Sequence, residues 1–338
     1  MKAAVLTGLG QPLVVETLPD PVPQAGEVVV QVGRCGICGS DLHMAHDPAF
    51  GAAPGDVFGH EFAGEVVALG KDAADTAEGL ALGDLVAVVP LKSCGTCTHC
   101  RLGEVQWCEK FGLQGGGYAE YALTRPNQCI RLPASASLAD GAIIEPLAVA
   151  LHGVRLAGLT RGDRVLVLGA GPIGLAVAFW ARRLGADQVV VQDIAPWQKA
   201  RALEMGADHF IADPADPVAA SDLAFGGGKP DVVFECVGVP GLIAQAVEQV
   251  RNRGTVLLLG LCTRPDTINS FAMLSKEVKL VTSAFFTLSD YQNALDALAS
   301  GAAEPGLLVT DTIGLDAVPD VFELLKTRTE QCKVLIAP

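Results

Sequence analysis

The chain has 338 residues, 50% of them hydrophobic and 18% charged, and carries a formal net charge of −14. That length exceeds what one core usually serves, so two domains are expected, and so apolar a composition excludes a disordered chain. The acidic balance argues against nucleic acid or an anionic membrane as partner, because phosphate binding needs a basic surface.

The N-terminal stretch MKAAVLTGLGQPLVVETLPD lacks the apolar run of a signal peptide and reads as strands. Nowhere do about 18 apolar residues run uninterrupted, so no transmembrane helix is expected. Up to about residue 145 the sequence is rich in Gly, Pro and β-branched residues. Short runs at Glu27–Val32, Ala63–Leu69 and Leu85–Val89, separated by turn signals, predict a β-barrel-like region.

Two cysteine-bearing clusters lie in this region. Cys38-Gly-Ser40-Asp41-Leu-His43 and Gly59-His60-Glu61 supply a thiolate and an imidazole, two of the three ligands an open catalytic zinc needs. The third is either Glu61 or Glu145, the latter in IIEPLAVALHG, where it could instead start a helix ahead of Pro146. Ser40, two residues from Cys38, can bring its hydroxyl near the open position, and His43, three residues on, can pass a proton outward. Asp41 shows no role beyond orienting the loop. Cys35 shares C-x2-C spacing with Cys38, but no thioredoxin-like βαβ unit surrounds the pair. The second cluster is Cys94, Cys97, Cys100 and Cys108, spaced C-x2-C-x2-C-x7-C. Four thiols that close in sequence suit one tetrahedral Zn2+ in a saturated, structural site, with disulfides or buried free thiols as the bland alternatives. Ten cysteines in so long a chain are too sparse for a disulfide scaffold, and they suggest metal thiolates in a reducing cytoplasm.

From about Arg164 strands and helices alternate. Arg164–Leu168 reads as a strand, Pro172–Leu184 as a helix closed by Gly185, Gln188–Gln192 as a strand and Pro196–Met205 as a helix closed by Gly206. Strands at His209–Ala212, Asp231–Cys236, Thr255–Leu259 and Val278–Thr282, with a helix near Leu242–Val250, complete a parallel sheet flanked by helices. Gly169-Ala-Gly171-Pro172-Ile173-Gly174 fits G-x-G-x-x-G and follows a strand and opens a helix, the context a dinucleotide turn demands. Gly169 permits the tight turn, Gly171 lets a pyrophosphate approach, and Gly174 lets helix and strand pack closely. Asp193 ends the second strand, where a carboxylate binds an adenosine ribose and repels a 2′-phosphate. NAD is therefore favoured over NADP, although Lys199 and Arg201 nearby leave some NADP use open. Val237-Gly238 and Gly260-Leu261, just after two later strands, lie where a nicotinamide would sit. A helix at Asp290–Ala299, another near Val318–Thr327 and a strand at Lys333–Ile336 fall outside the doubly wound unit and are expected to return to the first domain.

The stretches GRCGICGSDLH, FGHEFAGEVVALG, GDLVAVVP, GGYAEYAL, IIEPLAVALHG and VLVLGAGPIG resemble the zinc-dependent medium-chain dehydrogenase family along nearly the whole chain. The resemblance implies an α/β protein with a GroES-like, β-rich catalytic domain split around a Rossmann domain. On that division residues 1–148 form the catalytic domain with a structural zinc loop at 90–110, 149–284 bind the dinucleotide, and 285–338 return. It further implies NAD(P)-dependent oxidation of an alcohol or reduction of a ketone, two zinc ions (one catalytic, one structural) and a homodimer or homotetramer. In the sorbitol- and butanediol-dehydrogenase-like branch a glutamate completes the catalytic ligands, matching Glu61 and Glu145, with Ser40 and His43 as proton relay. Polyol-oxidising relatives carry an Arg/Tyr pair near SAFFTLSDY, where this chain has Phe285 and Phe286. That departure favours less polar secondary alcohols, diols or ketones, with Phe50 and Trp107 as further candidate pocket walls. A threonine- or sorbitol-type dehydrogenase and a catalytically silent protein of the same fold are the alternatives.

Overall fold

The computed structural model describes residues 1–75, 79–327 and 329–338. Two compact units emerge. The first takes Met1–Glu145, Thr287–Ala302 and Val309–Pro338; the second takes Pro146–Phe286 and Ala303–Leu308.

The first unit is built on a seven-stranded sheet. Its main path runs Val309–Ile313, Lys333–Ile336, Val28–Gly36, Glu61–Leu69, Leu85–Val88 and Cys129–Arg131, with Tyr121–Thr124 also pairing against Val28–Gly36. Val28, Val30 and Val32 alternate into a core with Phe62, Val66, Val86, Tyr118, Phe322 and Val334, the period-two pattern of a strand with one face buried. The Val28–Gly36 strand runs on past its predicted end at Val32. Gly33 and Gly36 lie within the strand, and a register shift between Val32 and Arg34 absorbs the irregularity. In the resulting register Gly36 stands opposite Glu61 on one side and Leu335 on the other. That placement sets the metal cluster described below.

The second unit is a six-stranded parallel sheet in the order His209–Ala212, Gln188–Asp193, Arg164–Leu168, Val232–Glu235, Thr255–Leu258, Lys279–Thr282. The order reverses at Arg164–Leu168, the doubly wound arrangement in which ligands bind beyond the carboxyl ends of the strands. Its inner strands read as near-continuous apolar runs because both faces are buried: Val165, Leu166, Val167, Val189, Val190 and Val191 are all inaccessible to solvent.

Three helices depart from the sequence expectation. Pro217–Ala224 and Ser270–Lys276 are too short to show a periodic signal, yet each begins on a side chain that accepts from the first-turn amides, Asp216 and Asn269 respectively. Leu138–Leu156 is a long helix that contains both Glu145 and Pro146. Glu145 therefore does not begin a helix at Pro146. The proline is tolerated inside it, where it removes one backbone donor. Among the described residues no helix is long and apolar enough to cross a membrane.

Candidate metal centres and dinucleotide turn

The four-cysteine loop closes on itself. The sulfurs of Cys94, Cys97, Cys100 and Cys108 all lie within 4.8 Å of one another, with Cys94–Cys100 at 3.9 Å and Cys97–Cys100 at 3.5 Å. Four zinc–thiolate bonds of about 2.3 Å in a tetrahedron give sulfur–sulfur edges of about 3.8 Å, so the donor set fits zinc without rearrangement. Backbone amides prepare the thiolates: Cys94 Sγ accepts from the N–H groups of Thr96 and Cys97, and Cys108 Sγ from those of Cys94 and Lys110. The Thr96 donors hold the Cys94 thiol down to about 5, whereas burial pushes Cys100 up to about 11. His99 pairs with Glu104 and stays outside the sulfur cluster.

The second cluster comes from two separate pieces of chain. Cys38 precedes the short helix Gly39–Met44, and Glu61 opens the strand Glu61–Leu69 with His60 just before it. Ligand atoms of Cys38, His60 and Glu61 lie within 4.8 Å of one another. His60 Nδ1 is 3.1 Å from Asp41 Oδ1, which leaves Nε2 as the nitrogen available to a metal. Glu61 is 1% exposed, and its Oε2 is a buried oxygen with no hydrogen-bond partner although the Lys333 ammonium stands 2.7 Å away. That ammonium is aligned instead on Oε1, at 2.8 Å. One ammonium offsets this buried carboxylate only in part beside a thiolate and an imidazole, and a cation held by the three donors would draw on the lone pairs that remain. Gly36 makes the room: a Cβ there would stand 2.0 Å from Glu61 Oε2. The residues present fit zinc with three protein donors and one position open.

Asp41, to which the sequence assigned only loop orientation, anchors the whole arrangement. Fully buried, it accepts from Tyr118 Oη at 2.6 Å and from the Cys38 amide at 3.2 Å while facing His60. Burial alone would raise its pKa, but His60 and the donors around it lower it. Burial likewise opposes a charged His60, yet Asp41 and Cys38 outweigh it and raise His60 well above the ordinary histidine value. The spacing of Asp41 inside GSDLH carries no sign of this, since Tyr118 lies far along the chain.

Ser40 Oγ donates to Cys38 Sγ at 3.2 Å, which places the hydroxyl at the cluster, and His43 follows in the same helix with an exposed ring. Glu145 is 6% exposed and lies outside the cluster formed by Cys38, His60 and Glu61. Burial pushes its pKa up to about 7, with His60 and Lys333 pulling it down and Glu61 pushing it further up. Cys35 is a buried free thiol whose pKa burial raises well above the ordinary value. Phe50 lines a cleft of about 560 Å³ together with Asp41, Met44, His60 and Gln114, whereas Trp107 is absent from that lining and 57% exposed. Phe286 is fully buried core, and Phe285 sits half-buried at φ 56°.

In the second unit the glycine turn has the geometry its sequence demands. Gly169 has φ +99°, and a Cβ on Gly174 would stand 1.9 Å from Gly169 O. A Cβ on Gly171 meets nothing within 4 Å, leaving open space above the turn. Pro172 and Ile173 begin the helix Pro172–Arg183, whose N-cap Gly171 offers no side chain to its first amides. Those unpaired donors suit an anion. Asp193 Oδ2 accepts from the Ala170 amide at 2.6 Å and Oδ1 from that of Ala195 at 2.7 Å, which fixes the carboxylate at the strand end. The Arg201 guanidinium is engaged by Gln198. Val237-Gly238 and Gly260-Leu261 abut, since a Cβ on Gly238 would meet Leu261 O at 2.3 Å. Glu235, which sequence reasoning passed over as a strand residue, holds this corner: it is 3% exposed and accepts from the Val237 and Gly238 amides at 2.7 and 2.8 Å.

Comparison with known proteins gives two family matches: "Alcohol dehydrogenase GroES-like domain" over residues 24–134 and "Zinc-binding dehydrogenase" over residues 172–300. The chain is 30% identical to a sorbitol dehydrogenase of Bacillus subtilis (strain 168) over 348 residues, covering 100% of this chain and 97% of that protein. It is 32% identical to the (R,R)-butanediol dehydrogenase of the same organism over 344 residues, covering 96% of each. Among solved structures, a zinc-binding dehydrogenase of Sinorhizobium meliloti 1021 bound to NADP superposes with a TM-score of 0.90 at 33% identity, covering 100% of this chain and 99% of the other.

Proposed function

Because the chain belongs to the zinc-dependent medium-chain dehydrogenase family and is an alcohol dehydrogenase of it, we propose that Cys38, His60 and Glu61 hold its catalytic zinc and that it moves hydride between a secondary alcohol or diol and NAD. The observation that carries this reading is the convergence of those three donors within 4.8 Å of one another, with His60 and Glu61 buried. Glu145, outside the cluster, acts as a neighbouring buried carboxyl and not as a direct ligand.

When bound, zinc supplies Lewis acidity to an alcohol hydroxyl and the dinucleotide supplies a hydride acceptor. Ser40 Oγ accepts the hydroxyl proton and passes its own towards His43 and solvent, directly or through ribose hydroxyls. Asp41 holds His60 in the tautomer that offers Nε2, and Tyr118 and the Cys38 amide hold Asp41. The Gly171 turn and the helix behind it receive the pyrophosphate. The fixed Asp193 carboxylate binds the ribose and selects against a 2′-phosphate. The Cys94–Cys108 loop holds a structural zinc, its four thiolates leaving no open position.

A homo-oligomer is supported by the open sheet edge at Lys279–Thr282 and by Phe271 and Leu274, 71% and 73% exposed, on the helix leading into it. Free thiols throughout the chain support a reducing, cytoplasmic compartment.

Zinc analysis together with NADH formation over a panel of secondary alcohols, diols and polyols tests the assignment. Two zinc ions per chain are expected. Cys38→Ser should remove one of them and abolish turnover while leaving the fold, and a fully active Cys38→Ser protein would remove the assignment.

A further inference from the structure

The first unit carries a buried cation that the reaction as described does not use. Lys333 is 2% exposed and begins the strand Lys333–Ile336, which pairs with Val28–Gly36, which in turn pairs with Glu61–Leu69. Its ammonium donates to Ile37 O at 2.9 Å and to Glu61 Oε1 at 2.8 Å, and the missing Cβ of Gly36 leaves the room that the Glu61 carboxylate occupies. The same ammonium lies 2.7 Å from Oε2, the oxygen that accepts no directed hydrogen bond. A full positive charge in contact with a ligand carboxylate works against binding of a second cation there, because both draw on the same negative charge. A pair whose only task was to pin the last strand to the sheet would not need to sit on the metal-facing carboxylate.

Resting on the reading of Cys38, His60 and Glu61 as the zinc site, we propose that Lys333 is a positioning residue that shares the Glu61 carboxylate with the metal and keeps it a releasable ligand. Glu61 then gives way when substrate or product exchanges at the ion, and the ammonium takes up the freed carboxylate. Without the ammonium, the carboxylate belongs to the metal alone: the ion is held more tightly and its open position exchanges less readily.

The test is chelator competition for zinc at alkaline pH, on the full-length wild type, Lys333→Met, Glu61→Gln and the double variant. Lys333→Met should hold the more weakly bound zinc about tenfold more tightly than wild type, and the gain should be smaller in the Glu61→Gln background, because the effect acts through that carboxylate. In the Co2+-loaded protein, the visible bands of Lys333→Met should respond about tenfold less to added imidazole, which probes the open position without turnover. Should Lys333→Met fail to fold, Lys333→Gln, which still donates a hydrogen bond, is expected to move both readouts in the same direction. Unchanged or weaker zinc retention in the folded variant overturns the proposal and leaves a simple structural ion pair, as does an equal gain with and without Glu61. A wild-type protein that binds only the thiolate-loop zinc overturns both this proposal and the catalytic-site reading beneath it.

Discussion

Two glycines three residues apart in the dinucleotide turn should respond to the same substitution in opposite ways. At Gly174 a Cβ would stand 1.9 Å from Gly169 O and 2.9 Å from Gly169 C, both backbone atoms that cannot rotate away. A carbon–oxygen contact needs about 3.3 Å, so helix and turn must part by about 1.4 Å. Such overpacking costs about 1–3 kcal/mol, which outweighs the ~1 kcal/mol that alanine gains over glycine inside a helix. Gly174→Ala should therefore lower the thermal midpoint by a few degrees and weaken dinucleotide binding through the displaced turn. At Gly171 the backbone is ordinary extended chain, φ −74° and ψ −177°, and a Cβ meets nothing within 4 Å. Gly171→Ala should leave the midpoint unchanged or slightly raised, yet push back the pyrophosphate. Losing one hydrogen bond to a charged group costs about 1.5–3 kcal/mol, or roughly ten- to a hundredfold in Kd. Thermal melting of the free protein and fluorescence titration with NADH separate the two effects. If Gly171→Ala binds NADH like wild type, or Gly174→Ala melts higher, the close-approach reasoning is wrong.

Asp193→Gly should lower the ratio of kcat/KM for NAD over NADP by at least about tenfold, since it removes the ribose partner and the charge that repels a 2′-phosphate. It also frees the Ala170 and Ala195 amides, so affinity for both dinucleotides should fall and the ratio is the informative quantity. An unchanged ratio would take Asp193 out of the cofactor site. In the second unit, Asp231 accepts from the Arg164 amide and faces Arg251; burial raises its pKa, but these partners prevail and lower it. A lowered carboxylate stabilises the fold above the ordinary aspartate range of about 4 and loses that contribution as pH falls through its own value. Urea melts of wild type and Asp231→Asn should accordingly differ at neutral pH and converge in acid, and a gap that widens on acidification would reverse the sign of the assignment.

Much of this molecule is legible in local sequence. The parallel sheet follows from runs such as RVLVL and QVVVQD bounded by glycines, because burial on both faces leaves an unbroken apolar signature. The dinucleotide turn is legible because its three glycines answer to constraints within a single strand–turn–helix unit: a left-handed turn, open space and a close approach. The four-cysteine loop is legible for the same reason, its donors being separated by only a few residues.

What escaped the sequence depends on residues brought together from distant parts of the chain. The short helices Pro217–Ala224 and Ser270–Lys276 have too few turns to leave a period, and Pro146 masks the helix that continues through Glu145. Asp41, Tyr118 and Lys333 are individually unremarked residues of three separate segments. Strand pairing brings Lys333 to Glu61, and burial makes each of their polar atoms require a partner. Sequence by itself determined the donor types and the two units' architecture, because those follow from spacing and periodicity. Only the tertiary structure brings a Glu61 oxygen within 4.8 Å of the Cys38 and His60 donors and shows which buried charges surround them, because such contacts are set by strand pairing that no local pattern encodes.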